Sequence, residues 1–428
     1  MCEGINSAMS SAVNTKNDPA QPNIFIARQP IFRRNQKVFA YELLFRSGLV
    51  NSFDAGQDGE EATSKVLTNS YLLIGLAKLT GGKKAFINFT EEMLLNRVPA
   101  LFPKATTVVE ILESVEVTPE VVNACHSLVG RGYVLALDDF FYEQKFLPLI
   151  ELARIVKFDF RKMSIDELRS QIESVSLYNL KLLAEKIETA EEFEIAKEMG
   201  FDLFQGYFFS RPHIVEGKDI PGSKLQYLQI LKLIQDENYD FAKLGALISH
   251  DVSLAYKLLK YVNSAYFARA REVQSVTDAV VMLGEVNIRK WLSLMMLSYM
   301  AEDKPPELLR MASIRGSFCE LVVQRLLGRP LEGSRYYTVG MFSLLPALLD
   351  KPMGVILEEL PLAPEIKEVL LRTALSPMRY TLALVRDYER GNWDSVLRLA
   401  GCLRINPADL PALYDAALDI VEQFDFTD

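Results

Sequence analysis

The sequence is poor in the residues that build thiolate and histidine sites. Its four cysteines are scattered without a CxxC pair, so a disulfide framework is not expected, and it has three histidines in 428 residues. No apolar run is long enough to cross a bilayer, and no early segment has the pattern of a signal peptide. These absences predict a soluble protein of the cytoplasm.

Positive charge is also scarce. The chain has 47 Lys and Arg against 56 Asp and Glu, a net charge of −9 at pH 7. Residues 1–215 hold 23 basic and 28 acidic side chains, and the remainder holds 24 and 28. Because neither part is basic, non-specific attraction to nucleic acid or to an anionic bilayer is disfavoured. We therefore expect no nucleic-acid partner and no membrane partner.

The spacing of apolar residues divides the chain into two parts. Residues 1–22 are small and polar, and they are expected to form a disordered leader. Residues 23–215 alternate short β-type runs with helical stretches, and 216–223 have the Gly and Pro content of a linker. Residues 224–428 follow a helical period of 3.6. The pattern predicts an α/β TIM-like barrel followed by an all-α helical domain.

Polar side chains recur at the ends of the β-type runs of the first part. The carboxyl ends of parallel barrel strands meet on one face, so these side chains are expected to converge. Oxygen ligands together with a lysine suit a divalent cation and a phosphate ester. The residues are Glu42, Asn88, Glu110, Asp138, Asp139, Lys157, Glu185 and Gln205.

Seven blocks in this part occur in the order and spacing of a known family. Together they resemble an EAL domain, whose enzymes hydrolyse cyclic di-GMP to the linear dinucleotide on a TIM-like barrel. The resemblance implies the same fold and the same ligand. The blocks are YELLFR (41–46), AFINF (85–89), VVEILE (108–113), LALDDF (135–140), IVKFD (155–159), AEKIET (184–189) and QGYFFSRP (205–212).

The resemblance also implies a role for each matching residue. Lys157 would orient the attacking water, Glu185 would act as general base, Gln205 would lie near the metal, and Arg46 would face a substrate phosphate. Magnesium or manganese would be the cofactor. Its ligands would be Glu42, Asn88, Glu110 and Asp138, with Asp139 completing a second metal position.

Three departures from the family pattern favour a barrel without catalytic activity. Leu44 replaces the small alanine beside the first ligand, and Lys186 replaces a glycine beside the expected base. Residues 141–145 replace a Gly-x-Gly loop that closes over substrate and is coupled to a dimer interface. The polar residues would then persist as a structural cluster. The alternative is an active, metal-dependent cyclic di-GMP phosphodiesterase regulated by the second domain.

The second part resembles an HDOD domain. The resemblance rests on residues 248–297, with Asp251-x-x-Leu254, Asn263-Ser264-Ala265 and Leu283-Gly284 as its key blocks. A catalytic HD site needs several histidine and aspartate ligands, and this part has one histidine, His250. We therefore predict that the His250-Asp251 pair is accidental and that this domain does not hydrolyse phosphate esters.

An EAL domain followed by an HDOD domain resembles the YuxH-type signalling proteins. The resemblance implies a bacterial protein of the cyclic di-GMP network that regulates motility or biofilm formation through protein partners of its HDOD domain, and it leaves a homodimer open. We expect the partner surface on the aromatic segment 261–267 and its basic neighbours Arg269 and Arg271.

Overall fold

The computed structural model describes residues 24–47, 75–210, 222–235, 241–264, 273–422 and 424. The predicted leader and most of the predicted linker lie outside these residues, as do residues 265–272 of the predicted partner surface. The chain forms two compact units. The first contains the barrel up to Phe209 together with Asp387–Leu397, and the second contains Ser210–Arg386 and Arg398 onward.

The first unit is a closed barrel of eight strands that neighbour one another in chain order. Strands β2 to β8 pair in parallel, whereas β1 is antiparallel to both β2 and β8. This departs from an all-parallel barrel because the short turn at 34–37 is too short for a crossover. The strands are β1 (Ile24–Arg33), β2 (Val38–Ser47), β3 (Lys84–Phe89), β4 (Thr107–Ile111), β5 (Val134–Leu137), β6 (Ile155–Asp159), β7 (Lys181–Glu185) and β8 (Leu203–Gln205).

Short helices alternate with these strands, as the sequence predicts. Two of them begin with reciprocal capping boxes, Ser164 with Glu167 and Thr189 with Glu192, which fix where the chain turns from strand to helix. The helices are α1 (Leu76–Thr80), α2 (Glu91–Leu95), α3 (Pro119–Gly130), α4 (Leu147–Leu152), α5 (Ile165–Val175) and α6 (Ala190–Glu198), with 3₁₀ turns at Val98–Leu101, Gln144–Phe146 and Phe208–Ser210.

A layer of buried apolar side chains fills the barrel. Each strand contributes one residue to this layer, which forms the floor beneath the strand ends. We call it the core layer. Its members are Ile31, Ala40, Phe86, Val108, Ala136, Ile155, Leu183 and Leu203.

The second part of the chain is helical throughout its described residues, which confirms the predicted fold class. Its longest helix breaks at Gly284, where the HDOD-like sequence predicts the start of a helix. The helices are α7 (Gly222–Gln235), α8 (Phe241–His250), α9 (Val252–Val262), α10 (Val276–Met300), α11 (Pro306–Leu321), α12 (Gly333–Phe342), α13 (Leu345–Leu349), α14 (Met353–Glu359), α15 (Pro364–Leu370), α16 (Pro377–Glu389), α17 (Trp393–Leu403) and α18 (Leu410–Glu422), with a π turn at Val322–Leu326 and 3₁₀ turns at Pro330–Glu332 and Pro407–Asp409.

The His250-Asp251 pair has capping roles rather than a metal-binding geometry. Asp251 accepts a hydrogen bond from the Leu254 backbone N–H at 3.0 Å and caps α9. The exposed His250 ring lies 2.7 Å from the Ala246 carbonyl oxygen in the last turn of α8. Within the described residues, the one cluster of acidic or histidine side chains suited to a metal lies in the barrel. No described helix is both long and apolar enough to cross a membrane.

Candidate active site

The polar side chains of the barrel occupy equivalent positions on strands β2 to β8, or directly after them. Each lies two residues beyond a member of the core layer, and alternate strand residues point to the same side, so a step of two leads from the floor to the rim. We call these seven residues the polar ring. They are Glu42, Asn88, Glu110, Asp138, Lys157, Glu185 and Gln205.

Lys157 joins the carboxylates of the polar ring. Its side chain is 1% exposed, and its ammonium lies 2.7 Å from Glu185, 2.9 Å from Asp138 and 3.5 Å from Glu42, and also contacts Glu110. Burial lowers the pKa of this ammonium, but the surrounding carboxylates outweigh burial and hold the pKa well above its ordinary value. Lys157 therefore stays charged.

Two carboxyl groups of the ring, those of Glu185 and Glu110, are less easily ionised than in water. Burial raises the pKa of Glu185 to about 8, although the Lys157 ammonium acts in the opposite direction. Burial likewise raises the pKa of Glu110 well above its ordinary value, again against Lys157. One ammonium cannot neutralise the buried carboxylates of Glu42, Glu110 and Glu185 together with the partly buried Asp138, so this environment favours either a shared proton or a second cation.

The oxygen atoms of the ring fit a divalent cation. Glu42, Glu110 and Glu185 offer ligand atoms within 4.8 Å of one another. The Asn88 amide donates from Nδ2 to Glu42 Oε1 at 3.2 Å, and its Oδ1 is buried without a hydrogen-bond partner. Glu110 Oε2 is also buried without a partner. Uncharged and anionic oxygens in this arrangement are what magnesium and manganese bind.

The second predicted metal position has a different environment. Asp139, which has a left-handed φ of 42°, accepts a hydrogen bond from Lys162 Nζ at 2.5 Å, and its Oδ1 has no partner. Asp159 is buried at the end of β6 and forms an ion pair with Lys186 Nζ, also at 2.5 Å. Lys162 thus pairs with the predicted ligand Asp139, and Lys186 pairs with Asp159.

Lys186 does not enter the polar ring. Its φ is 57°, its side chain is 54% exposed, and its ammonium contacts Asp159. Burial lowers the pKa of Lys186, but the hydrogen bond that its ammonium donates to Asp159, together with the charges of Asp159, Asp139 and Glu185, raises the pKa overall. The cation that replaces the family's glycine therefore lies beside Asp159, outside the carboxylates of the polar ring.

The loop that replaces Gly-x-Gly is held by aromatic packing. Phe140 is buried, with its ring centroid 5.9 Å from those of Phe146 and Phe158. The Tyr142 backbone N–H donates to Gln171 Oε1 at 2.5 Å. No residue of 141–145, all of which are described, has a positive φ. The loop thus takes a conformation that needs no glycine.

Sequence reasoning missed three contributors to the site. Gln29 stands two residues before the core-layer residue Ile31 on the antiparallel strand β1, and it accepts a hydrogen bond from Gln205 Nε2 at 3.1 Å. Gln205 Nε2 also donates to Glu42 Oε2 at 2.6 Å. Because β1 runs antiparallel, the residue two positions before its core-layer residue lies on the same face as the polar ring, and this rule would have identified Gln29. Asp159 and Lys162 had no such pattern.

Arg46, the predicted phosphate-binding residue, is engaged within the same unit. Its Nη1 lies 2.8 Å from Asp394 Oδ1, and its side chain is 13% exposed. Its Nη2 is buried without a hydrogen-bond partner. Glu42, Leu44 and Arg46 alternate along β2, so Arg46 lies on the side of the strand that carries Glu42, a predicted metal ligand.

The chain as a whole is similar to proteins that combine the same two domains. The EAL domain model matches residues 81–212, and the HDOD domain model matches residues 220–345. The chain is 36% identical over 407 residues to the uncharacterized protein YuxH of Bacillus subtilis. The match covers 93% of this chain and 97% of that protein. The chain is 34% identical over 379 residues to the cyclic di-GMP phosphodiesterase CdgJ of Vibrio cholerae, which covers 87% and 86%.

Among solved structures, a manganese and cyclic di-GMP complex of Klebsiella pneumoniae BlrP1 is 21% identical, with a TM-score of 0.37, and covers 45% of this chain and 57% of that one. The order of the two domain matches, together with an identity above 30% along most of both curated relatives, leads to one assignment. The chain belongs to the family of EAL–HDOD proteins.

Proposed function

We propose that the barrel hydrolyses cyclic di-GMP to the linear dinucleotide with bound magnesium or manganese. The observation that carries this proposal is the polar ring: every side chain expected of an EAL site is present, and the carboxylates of Glu42, Glu110, Asp138 and Glu185 surround the Lys157 ammonium. The name of the relative CdgJ, a cyclic di-GMP phosphodiesterase with 34% identity, supports the same reaction.

Each residue of the site would have its own role in hydrolysis. Glu42, Asn88, Glu110 and Asp138 would hold the cation, which neutralises phosphate charge and lowers the pKa of a bound water. Glu185, whose carboxylate lies 2.7 Å from Lys157 Nζ, would accept the proton of the attacking water, and the Lys157 ammonium would orient that water. Arg46 would hold a phosphate through charged hydrogen bonds. Water adds to the phosphorus, one phosphoester bond breaks, and the released ribose oxygen takes a proton.

A second candidate is binding of cyclic di-GMP without appreciable turnover, which is what the sequence departures predict. A specific observation favours it. Lys162 forms an ion pair with Asp139, which was predicted to complete a second metal position, and Lys186 forms an ion pair with Asp159. The loop at 141–145 also lacks the glycines of a closing loop. On this reading the barrel is a sensor and the helical domain is the output.

In either case we propose that the helical domain regulates motility or biofilm formation through a protein partner. Part of the predicted surface lies outside the described residues, and the Tyr261 ring stacks on Phe424 with centroids 4.8 Å apart. The exposed face of α9 is a better supported candidate for the surface that binds the protein partner. Val252 is 84% exposed and Tyr256 is 67% exposed, and a spacing of four residues places both on one side of the helix.

The experiment that tests the proposal uses the purified full-length chain with cyclic di-GMP. Linear product and equilibrium binding are measured in parallel with magnesium, with manganese and with EDTA. Steady formation of the linear dinucleotide that stops in EDTA supports hydrolysis. Tight binding without product supports the second candidate, and neither binding nor product contradicts both.

A further inference from the structure

The segment Asp387–Leu397 belongs to the barrel unit although it lies almost two hundred residues beyond the last strand. It contains the end of α16, a tight turn and the start of α17. Three backbone hydrogen bonds close the turn: Gly391 N–H to Tyr388 O at 3.0 Å, Asn392 N–H to Asp387 O at 2.9 Å, and Trp393 N–H to Gly391 O at 2.9 Å. We call this segment the capping turn.

Aromatic packing fixes the capping turn against β1. The Trp393 ring centroid lies 5.6 Å from that of Phe25 and 5.1 Å from that of Tyr388. Phe25 and Tyr388 are each at most 1% exposed. Aromatic pairs at these separations stabilise a fixed arrangement. The capping turn is therefore a defined part of the barrel unit.

The capping turn lies against Leu44, the leucine that replaces the family's alanine on β2. Gly391 has a left-handed φ of 68°, and a Cβ at that position would lie 2.7 Å from Leu44 Cδ1. A side chain cannot be accommodated there without displacing Leu44. The leucine that replaces the family's alanine thus contacts the capping turn, two residues beyond the metal ligand Glu42 on the same side of β2.

A chain of hydrogen bonds also connects the turn with the polar ring. The Arg390 carbonyl oxygen accepts from Gln29 Nε2 at 3.4 Å, and Gln29 Oε1 accepts from Gln205 Nε2 at 3.1 Å. The Arg390 guanidinium lies over the Tyr207 ring, 5.0 Å from its centroid. The turn therefore lies at the mouth of the site rather than on a distant surface.

From this geometry we infer that the Asp394 carboxylate competes with a phosphate group of the ligand for binding to Arg46. The carboxylate of Asp394 lies 2.8 Å from Arg46 Nη1, as a phosphate oxygen would, and the other terminal nitrogen of Arg46 has no partner. The inference rests on the proposed function, because that function assigns a phosphate to Arg46. Asp394 is 70% exposed, so its hold on Arg46 is weakened by water and salt.

The inference predicts a measurable gain in affinity when the competitor is neutralised. Asp394→Asn should lower the Kd for cyclic di-GMP, measured in EDTA to prevent turnover, by about fivefold, because an exposed ion pair contributes about 1 kcal/mol. The matched control is Asp166→Asn, which removes the same charge from the first turn of α5, where the side chain is 95% exposed. In an Arg46→Ala background, Asp394→Asn should have no effect on Kd.

A second measurement does not depend on cyclic di-GMP. Phenylglyoxal modifies accessible arginines, and its reaction with Arg46 can be followed by mass spectrometry. Asp394→Asn should speed this reaction, and inorganic phosphate should protect Arg46 at about fivefold lower concentration than in the wild type. If product formation fails but these differences appear, the proposed function fails and the competition stands. Equal values for Asp394→Asn, Asp166→Asn and wild type in both measurements overturn the inference.

Discussion

At the scale of single residues, Lys157 determines the electrostatics of the site. A buried ammonium surrounded by four carboxylates is stable only while the charges remain paired, and each carboxylate left without a cation would be costly. A bound divalent cation would relieve the same imbalance. Lysine and metal are therefore complementary means of neutralising one acidic cluster.

Replacing Lys157 by methionine is expected to destabilise the metal-free barrel unit by about 3–5 kcal/mol, because it leaves buried carboxylates without their cation. Urea denaturation in EDTA measures this loss, and manganese should restore part of it. The control is Lys197→Met, which removes an ammonium that pairs with Glu194 at the surface and should cost under about 1 kcal/mol. Equal losses in the two variants would contradict a central role for Lys157.

Lys186→Gly is expected to tighten manganese binding by about threefold to tenfold. The substitution frees Asp159 and removes a positive charge from the edge of the site, and the ammonium is half exposed, so the effect is modest. Calorimetric titration measures the Kd. Lys145→Gly serves as control, since that lysine pairs with Glu143 in the adjacent loop. If both variants bind manganese as the wild type does, Lys186 has no electrostatic influence on the metal.

Residue positions in the ring could be predicted from the sequence because strands have a period of two. Glu42, Glu110 and Glu185 each end a short apolar run, and closure of the barrel brings them together. The ion pairs of Lys162 and Lys186 could not be predicted, since they depend on side-chain directions at loop positions. The assigned catalytic and metal-binding roles remain predictions.

At the scale of elements, the loop after β5 shows how a barrel without the family's glycines can still close. Phe140 anchors the loop in the core and Phe141 points outward, 53% exposed. The sequence correctly predicted a β/α barrel, but it did not predict that β1 is antiparallel to its neighbours. That direction depends on the length of the turn between β1 and β2, and the spacing of apolar residues gives no information about it. In the helical part, the break in the long helix falls at Gly284, which belongs to the Leu283-Gly284 block of the HDOD resemblance.

Two neighbouring phenylalanines test the role of this loop. Phe140→Ala should destabilise the barrel unit by about 3–5 kcal/mol, because it removes a buried ring from contact with Phe146 and Phe158. Phe141→Ala should change stability by under about 0.5 kcal/mol, because that side chain is exposed. Urea denaturation compares the two, and similar losses would mean that the loop is not anchored through Phe140.

At the scale of the whole molecule, the sequence predicted two domains in the right order but not the capping turn. The Arg46–Asp394 pair joins residues 348 positions apart, and no local pattern specifies such a contact. Composition and periodicity assign Asp387–Leu397 to the helical part, whereas its contacts group it with the barrel. Long-range packing of this kind is visible only in the folded chain.

The proposed partner surface on α9 predicts that signalling and catalysis can be separated. Tyr256→Asp in the full-length chain should abolish the effect on motility or biofilm formation, because a charge replaces an exposed aromatic contact. Its hydrolysis of cyclic di-GMP in vitro should match that of the wild type. Leu177→Asp, at a 95% exposed position of the barrel unit, is the control and should leave the phenotype intact. A normal phenotype for Tyr256→Asp would place the output elsewhere.

A comparison of three reaction rates distinguishes a catalytic polar ring from a purely structural one. Formation of linear dinucleotide from cyclic di-GMP is measured with manganese for the wild type, for Glu42→Gln and for Glu113→Gln, which changes an exposed carboxylate just beyond β4. We expect steady turnover by the wild type, an equal rate for Glu113→Gln, and a loss on the order of 100-fold or more for Glu42→Gln, because that substitution removes a proposed metal ligand. No turnover by the wild type, or turnover that survives Glu42→Gln, would contradict a catalytic role for the polar ring.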